Sequence, residues 1–295
     1  MIRYFLRRVI SLIPVLFGVL LLTFVLIKLT PGDPALIIYK QHAATYIPTE
    51  EELEEIREKY GLNDPLVMQF VRWVVKTAQL DFETSTFYHR PVSELIAERA
   101  PYTVRLAIAS MALALLISLP LGVLSAVRQN SFFDNISRVL AVGGSALPSF
   151  FLGLLLLYFI AYRLKLFSVV ATGRPEDIIL PAATLALGSA APLTRLVRAT
   201  MLEQLNQPYV TTAYAKGLRE RTVIVRHALK NVLIPVITLA GMYLAHLLGG
   251  TVVVESIFSW PGIGSLALAA IFYRDYPVLR AFVMIMAVVY VLTNL

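Results

Sequence analysis

With 295 residues, 58% of them hydrophobic and only 15% charged, the chain carries more apolar surface than a soluble core of this size can bury. Its net charge of +7 therefore reads as basic residues held in cytoplasmic loops and not as a nucleic-acid surface. There is no cysteine, which excludes disulfides and thiolate metal sites.

Seven stretches of 15 residues or more carry no charged side chain. A helix needs roughly 20 apolar residues to cross a hydrocarbon core of about 30 Å. The pattern predicts an all-α membrane protein with about six transmembrane helices. The first, 9–28, follows Arg3, Arg7 and Arg8. Its apolar core is too long for a cleavable signal peptide, and no small-residue cleavage site precedes Thr30-Pro31-Gly32-Asp33-Pro34.

The stretch from Pro31 to Arg99 holds twelve acids against seven bases. It is expected to form a small external helical cap, too small to be a receptor domain. Thr49-Glu50-Glu51-Glu52 has capping-box spacing and opens a short helix through Lys59, closed near Gly61. A second helix follows Asp64-Pro65, with Val67, Phe70, Val71, Val74 and Val75 on an apolar face that needs a partner or the membrane interface to cover it. A third short helix is expected from Pro91 to Arg99, ending before Pro101.

Four more spans follow at 103–127, 139–162, 178–197 and 231–254, and a last one at 278–295. Region 255–277 is uncharged from Ser256 to Tyr273 but is broken by Trp260-Pro261-Gly262-Ile263-Gly264. Broken backbone at membrane depth survives only within protein or beside a watery cavity, so this region is expected to be re-entrant or to lie at the outer surface. Between Arg195 and Lys230 seven basic residues face two acids, Glu203 and Glu220. The positive-inside rule places that segment and the N-terminus in the cytoplasm. The final apolar run stops at Leu295 without a basic anchor, so a further ten to twenty or so residues with Arg or Lys are expected beyond it.

No G-x-x-x-x-G-K-[ST] sequence exists, nor any Gly-Lys pair. ATP and its Mg must therefore be used by other chains, and no catalytic residue, cofactor or metal is expected here. The basic segment contains Pro208-Tyr209-Val210-Thr211-Thr212-Ala213-Tyr214-Ala215-Lys216-Gly217-Leu218. Pro208 suits a first helical turn and Gly217 a stop. Ala213 and Gly217 would leave a flat face for a partner's backbone, and a bare face with basic flanks reads as a docking element.

This segment resembles the coupling motif of ABC-importer membrane subunits in the dipeptide/oligopeptide/nickel permease family. In the general form, E-A-A-x-x-x-G followed after nine residues by I-x-L-P, only Ala213, Gly217 and Leu229 match. The peptide/nickel form is followed more closely, through Tyr209-Val210, Ala215-Lys216-Gly217-Leu218 and His227-Ala228-Leu229, with Thr211 and Tyr214 where arginines are usual. The resemblance extends over the chain: Arg3-Tyr4-Phe5-Leu6-Arg7-Arg8, Tyr60-Gly61-Leu62-Asn63-Asp64-Pro65-Leu66, Arg90-Pro91-Val92, Glu255-Ser256-Ile257-Phe258-Ser259-Trp260-Pro261-Gly262-Ile263-Gly264 and Arg274-Asp275-Tyr276-Pro277. Glu83 stands where the family usually has glycine, which leaves the turn there open to a different geometry.

The resemblance implies a first transmembrane helix at 1–30, an external segment at 31–102, and a five-helix permease core at 103–295 with its coupling loop at 199–230. It implies a second permease, two ATP-binding cassette subunits and an extracytoplasmic solute-binding protein as partners, in the inner membrane of a prokaryote. The coupling residues would be Glu203, Tyr209, Ala213, Lys216, Gly217, His227 and Leu229. The substrate would be a di- or oligopeptide or nickel. The short loop Leu164–Asp177 tilts toward nickel, because dipeptide permeases of the family often carry an insertion there.

Pathway candidates are Glu255, His246, Met242 and Trp260. Glu255 ends an apolar run, where an acid is a functional candidate by default, although a hydrated headgroup carboxylate is equally consistent. His246 with Met242 one turn away has no second ligand at i±4 and reads better as a polar interhelical contact than as a metal relay. Two other classes of function stay open: an intramembrane serine protease using Ser145 in Gly143-Gly144-Ser145 with His246, and a passive channel.

Overall fold

The computed structural model describes residues 2–29, 32–42, 48–171 and 174–293; the last two residues of the predicted 278–295 span, Asn294 and Leu295, lie outside them. Its helices are α1 (Ile2–Leu29), α2 (Pro34–His42), α3 (Glu50–Lys59), α4 (Leu66–Ala78), α5 (Val92–Val127), α6 (Phe132–Ala146), α7 (Ser149–Leu156), α8 (Ile179–Leu205), α9 (Pro208–Ala215), α10 (Glu220–Thr222), α11 (Leu229–Gly250), α12 (Val252–Ile257), α13 (Ile263–Tyr273) and α14 (Tyr276–Thr293). Two π-helical stretches, Leu157–Arg163 and Val223–Ala228, continue α7 and lead into α11. Among the described residues, α5, α8 with its leading turn, and the run from α10 through α11 are each long and apolar enough to cross a bilayer.

Two expectations need correction. The third external helix does not end before Pro101: α5 runs unbroken from Val92. A proline removes one backbone donor, which a long apolar helix can absorb when neighbours re-satisfy the freed carbonyl. The predicted span 139–162 is not continuous. It is two helices bent by 105°. Leu147 is extended (φ −84°, ψ 130°) and Pro148 caps α7, because the residue before a proline is pushed out of the helical region.

The chain gathers into two units, residues 1–101 with 261–295, and residues 102–260. In the first, α1 packs on α14 and α13 on α14. Val92, Leu95, Leu266, Ala270, Val278 and Ala281 form its buried apolar cluster. The capping box at α3 is present, with Thr49 and Glu52 exchanging side-chain and backbone bonds. Arg57 gathers Asp33, Glu50 and Glu54 at 2.6, 2.9 and 2.9 Å. Burial would raise the Asp33 carboxyl, but hydrogen bonds from Arg57 and from the backbone of Ala35 and Leu36 outweigh it and hold Asp33 below the ordinary value.

Loop 81–91 is closed by a bridge between Thr84 and Pro91. Asp275, fully buried before α14, accepts from Ser85 Oγ and from the backbone N–H groups of Thr86 and Phe87. Phe87 stacks on Tyr273 with ring centroids 3.6 Å apart. The Arg274-Asp275-Tyr276-Pro277 sequence thus acts through one carboxylate that binds the 81–91 loop.

Glu83 has φ +64°, so the turn keeps the left-handed backbone that a glycine would adopt. That conformation costs a side-chain-bearing residue about 1 kcal/mol. The carboxylate offsets it by accepting from Lys76 Nζ at 2.8 Å and Arg280 Nη2 at 3.2 Å. Glu83→Ala, which keeps the strain and loses both partners, is expected to destabilise the protein by about 2 kcal/mol. Glu83→Gly is expected to cost less than half as much. Thermal unfolding of the detergent-solubilised protein compares them, and equal losses would refute this account of the turn.

In the second unit, α6, α7, α11 and α12 all pack on α8. Leu106, Leu193, Val197, Met201, Val232 and Val236 lie in its apolar core. At Gly122 of α5 an added Cβ would lie 2.6 Å from Val197 Cβ and 3.0 Å from the Thr194 carbonyl, so the α5 and α8 backbones touch there. Asp134, fully buried at the start of α6, takes a two-pronged bond from Arg198 of α8, Nε at 2.7 Å and Nη2 at 2.8 Å. Ser125 Oγ and the Asn130 N–H complete its shell.

Candidate functional site

The segment between α8 and α11 is where the sequence concentrates basic charge. After α8 ends at Leu205, a tight turn leads into α9, with Pro208 at its first position. The helix ends in a Schellman motif: Leu218 N–H bonds to the Ala213 carbonyl at 3.4 Å and Gly217 N–H to Tyr214 at 2.9 Å. Gly217 takes φ +75° to allow this.

The predicted flat face does not exist as drawn. Ala213 is buried against Val210 and Val223, with Leu205 alongside. It seats the helix on its own protein because a short helix needs an apolar stripe to stay folded. The outer side carries Thr211, Thr212, Tyr214, Ala215, Lys216, Gly217 and Leu218, all exposed, while Tyr209 is partly exposed at the margin of the inner side. Its bulk comes from Tyr214 and Leu218.

Tyr209 holds the helix in place. Its hydroxyl donates to Gln204 Oε1 of α8 at 2.7 Å and accepts from Asn231 Nδ2 of α11 at 3.0 Å. One side chain thus ties the loop to both long helices that flank it. Glu203 is exposed on the last turn of α8, and Lys216 is exposed after α9. His227, in the π-helical stretch, is half-buried, and Leu229 packs against the core. Gln204 and Asn231, on the two helices that flank the segment, were not singled out in the sequence, where nothing distinguishes these amides until their common partner is known.

The pathway candidates do not converge. Glu255 and Trp260 come together. Glu255 is fully buried, not hydrated at an outer surface, and its Oε1 accepts from Thr103 Oγ1 at 2.7 Å and Thr251 Oγ1 at 2.9 Å. Trp260 N–H bonds to the Glu255 carbonyl at 2.7 Å, and Trp260 Nε1 donates to the Tyr102 carbonyl at 3.1 Å. The Glu255–Trp260 turn is thereby fixed to the Tyr102–Thr103 step of α5. His246 and Met242 lie on an exposed side of α11. The Ser145 side chain is outside the described residues. Glu255→Leu removes the acceptor that both hydroxyls share and is expected to destabilise by about 2 kcal/mol, whereas Glu255→Gln keeps an oxygen there. Similar unfolding temperatures for the two variants would show that the hydroxyl bonds hold nothing.

A model of the family described as the binding-protein-dependent transport system inner membrane component matches residues 118–295, and one for that component's N-terminal part matches residues 1–107. The chain belongs to this family. The permease is 42% identical over 306 residues to the oligopeptide transport system permease protein AppB of Bacillus subtilis (strain 168), covering all of this chain and 95% of that one. It is 38% identical over 295 residues to the glutathione transport system permease protein GsiC of Pectobacterium atrosepticum, again over all of this chain and 95% of that one. Its fold is similar to a chain of the inward-facing MetNI methionine ABC transporter (TM-score 0.53, 16% identity, 68% of this chain and 94% of that chain). It is also similar to a chain of an amino acid ABC transporter (TM-score 0.54, 15% identity, 68% and 90%). The protein is an ABC permease of the peptide/nickel class, a multi-pass inner-membrane component. The family implies ATP-binding subunits and a solute-binding protein beside it. Membership of this transport-system family supports neither the protease nor the channel reading.

Proposed function

We propose that this permease imports short peptides, glutathione among them, delivered by a solute-binding protein and driven by ATP hydrolysed on two partner subunits, with a second permease completing the pathway. The N-terminus and the loop carrying α9 face the cytoplasm, and this chain binds no cofactor itself. The observation that carries the reading is full-length similarity to oligopeptide and glutathione permeases. The names of those relatives favour peptides over the nickel preference read from the short Leu164–Asp177 loop. α9 is the element on which an ATP-binding subunit docks, because its outer side is exposed while Ala213 and Tyr209 anchor its inner side. A push on α9 would reach α8 and α11 together and bias the bundle between two states.

The test is uptake by the reconstituted transporter, with its neighbouring subunits, of a labelled peptide, glutathione and Ni²⁺ in parallel. ATP-dependent accumulation of peptide or glutathione supports the reading. ATP-dependent accumulation of Ni²⁺ alone would overturn it.

A further inference from the structure

Among the described residues, the outer side of α4 is an apolar surface with no protein contact to account for it. At about 100° per residue, Val67, Val71 and Val75 fall in one arc of about 80°. They are 75%, 51% and 48% exposed, with Leu66 and Met68 exposed beside them. The opposite side is occupied. Phe70 packs edge-on between Phe17 and Phe24 of α1, at 5.7 and 5.3 Å, and Trp73 stacks on Phe24 at 5.8 Å. The helix cannot roll to hide its valines. Lys28 Nζ of α1 bonds to Gln69 at 2.6 Å, and Lys76 shares the Glu83 carboxylate with Arg280.

The depth of these contacts identifies what covers the valines. Lys28 closes the charge-free run of α1 and so marks its water boundary. Phe24 and Phe17 lie four and eleven residues further in, roughly 6 and 16 Å along the axis at 1.5 Å per residue. By this measure Phe17 is near the middle of the hydrocarbon and only the Phe70 ring reaches toward it; the Lys28–Gln69 bond holds α4 itself at the boundary, the depth of headgroups and upper acyl chains, where interfacial helices bury their apolar side by about 5–10 Å. The face of α1 next to it, Leu21, Leu22 and Val25, is apolar and exposed as well, and the valine face continues it. The polar sector of α4 is narrow, with Gln69, Arg72, Lys76 and Gln79 on one edge, the edge that meets water.

We propose that α4 is an interfacial helix whose Val67–Val71–Val75 face rests in the lipid of the leaflet at the Lys28 end of α1. The segment after the first span would then be anchored to the membrane as well as to protein.

The native chain has no cysteine, which gives a clean test. Val71→Cys and, as a water control, Glu54→Cys are labelled with a polarity-sensitive fluorophore in the full transporter in nanodiscs. Lipids carry nitroxides at the headgroup, at a shallow chain position or at a deep one. The expected result is blue-shifted emission at position 71, quenched at least twofold more by headgroup and shallow nitroxides than at position 54, and least by deep ones. Water-like emission at 71 would overturn the proposal. So would blue-shifted emission without lipid quenching, which would mean that protein covers the face.

Discussion

Tyr214→Asp is expected to reduce ATP-driven uptake by roughly thirtyfold or more while the chain still inserts and assembles with its fellow permease. A buried interface tyrosine contributes about 2 kcal/mol when it anchors a contact, and a carboxylate in its place adds a desolvation cost. Tyr214 is the largest side chain on the outer side of α9 and is 44% exposed, so in the free chain it has little to lose. Ala213→Glu would be a poorer probe of docking. Ala213 is buried against Val210 and Val223, and a charge there would unseat the helix itself. The measurement is uptake together with recovery of the ATP-binding subunits on an affinity-tagged permease. Wild-type uptake by Tyr214→Asp would remove α9 as the docking element.

Arg198→Ala is expected to be among the most damaging changes outside that loop, at about 3–5 kcal/mol, because it leaves the Asp134 carboxylate buried and unmatched. Asp134 is fully buried and Arg198 only 21% exposed. The pair Asp134→Asn with Arg198→Gln is expected to recover much of that loss, since both charges go together. Thermal unfolding of the wild type, Arg198→Ala, Asp134→Asn, Arg198→Gln and the double variant in detergent gives the comparison. If the double variant is as unstable as the sum of the two single ones, the pair is not coupled.

The long apolar runs made three crossing helices legible among the described residues, α5, α8 and the run through α11, because hydrocarbon imposes its length on any crossing helix. Composition carried no such signal for Leu147-Pro148, where a local backbone rule cuts an apparently continuous 24-residue run. The proline at 101 had the opposite outcome, since the same rule was overridden by the surroundings of α5. The ends of α9 were readable from Pro208 and Gly217, whose backbone demands are local. Which side of α9 faces inward was not, since Ala213 fits a bare docking face and a buried seat equally well. Asp134 pairs with Arg198 64 positions away, and Gln204 and Asn231, 27 positions apart, meet only through the Tyr209 hydroxyl. Arg198 read only as one of seven loop charges, because its partner is set by how helices pack.

The contact at Gly122 restricts how this sequence can vary. Gly122→Ala is the mildest exchange on any hydropathy scale and would normally favour a helix, yet the new methyl would occupy space held by Val197 and the Thr194 carbonyl. Trimming Val197 to alanine leaves its own Cβ in place and relieves only part of the clash. A saturation library at position 122 scored by uptake should therefore return glycine almost alone, while neighbouring positions that look equally apolar accept many residues. For descendants of this chain, the meeting of α5 and α8 at position 122 is an inherited fixture to which later substitutions on both helices must conform.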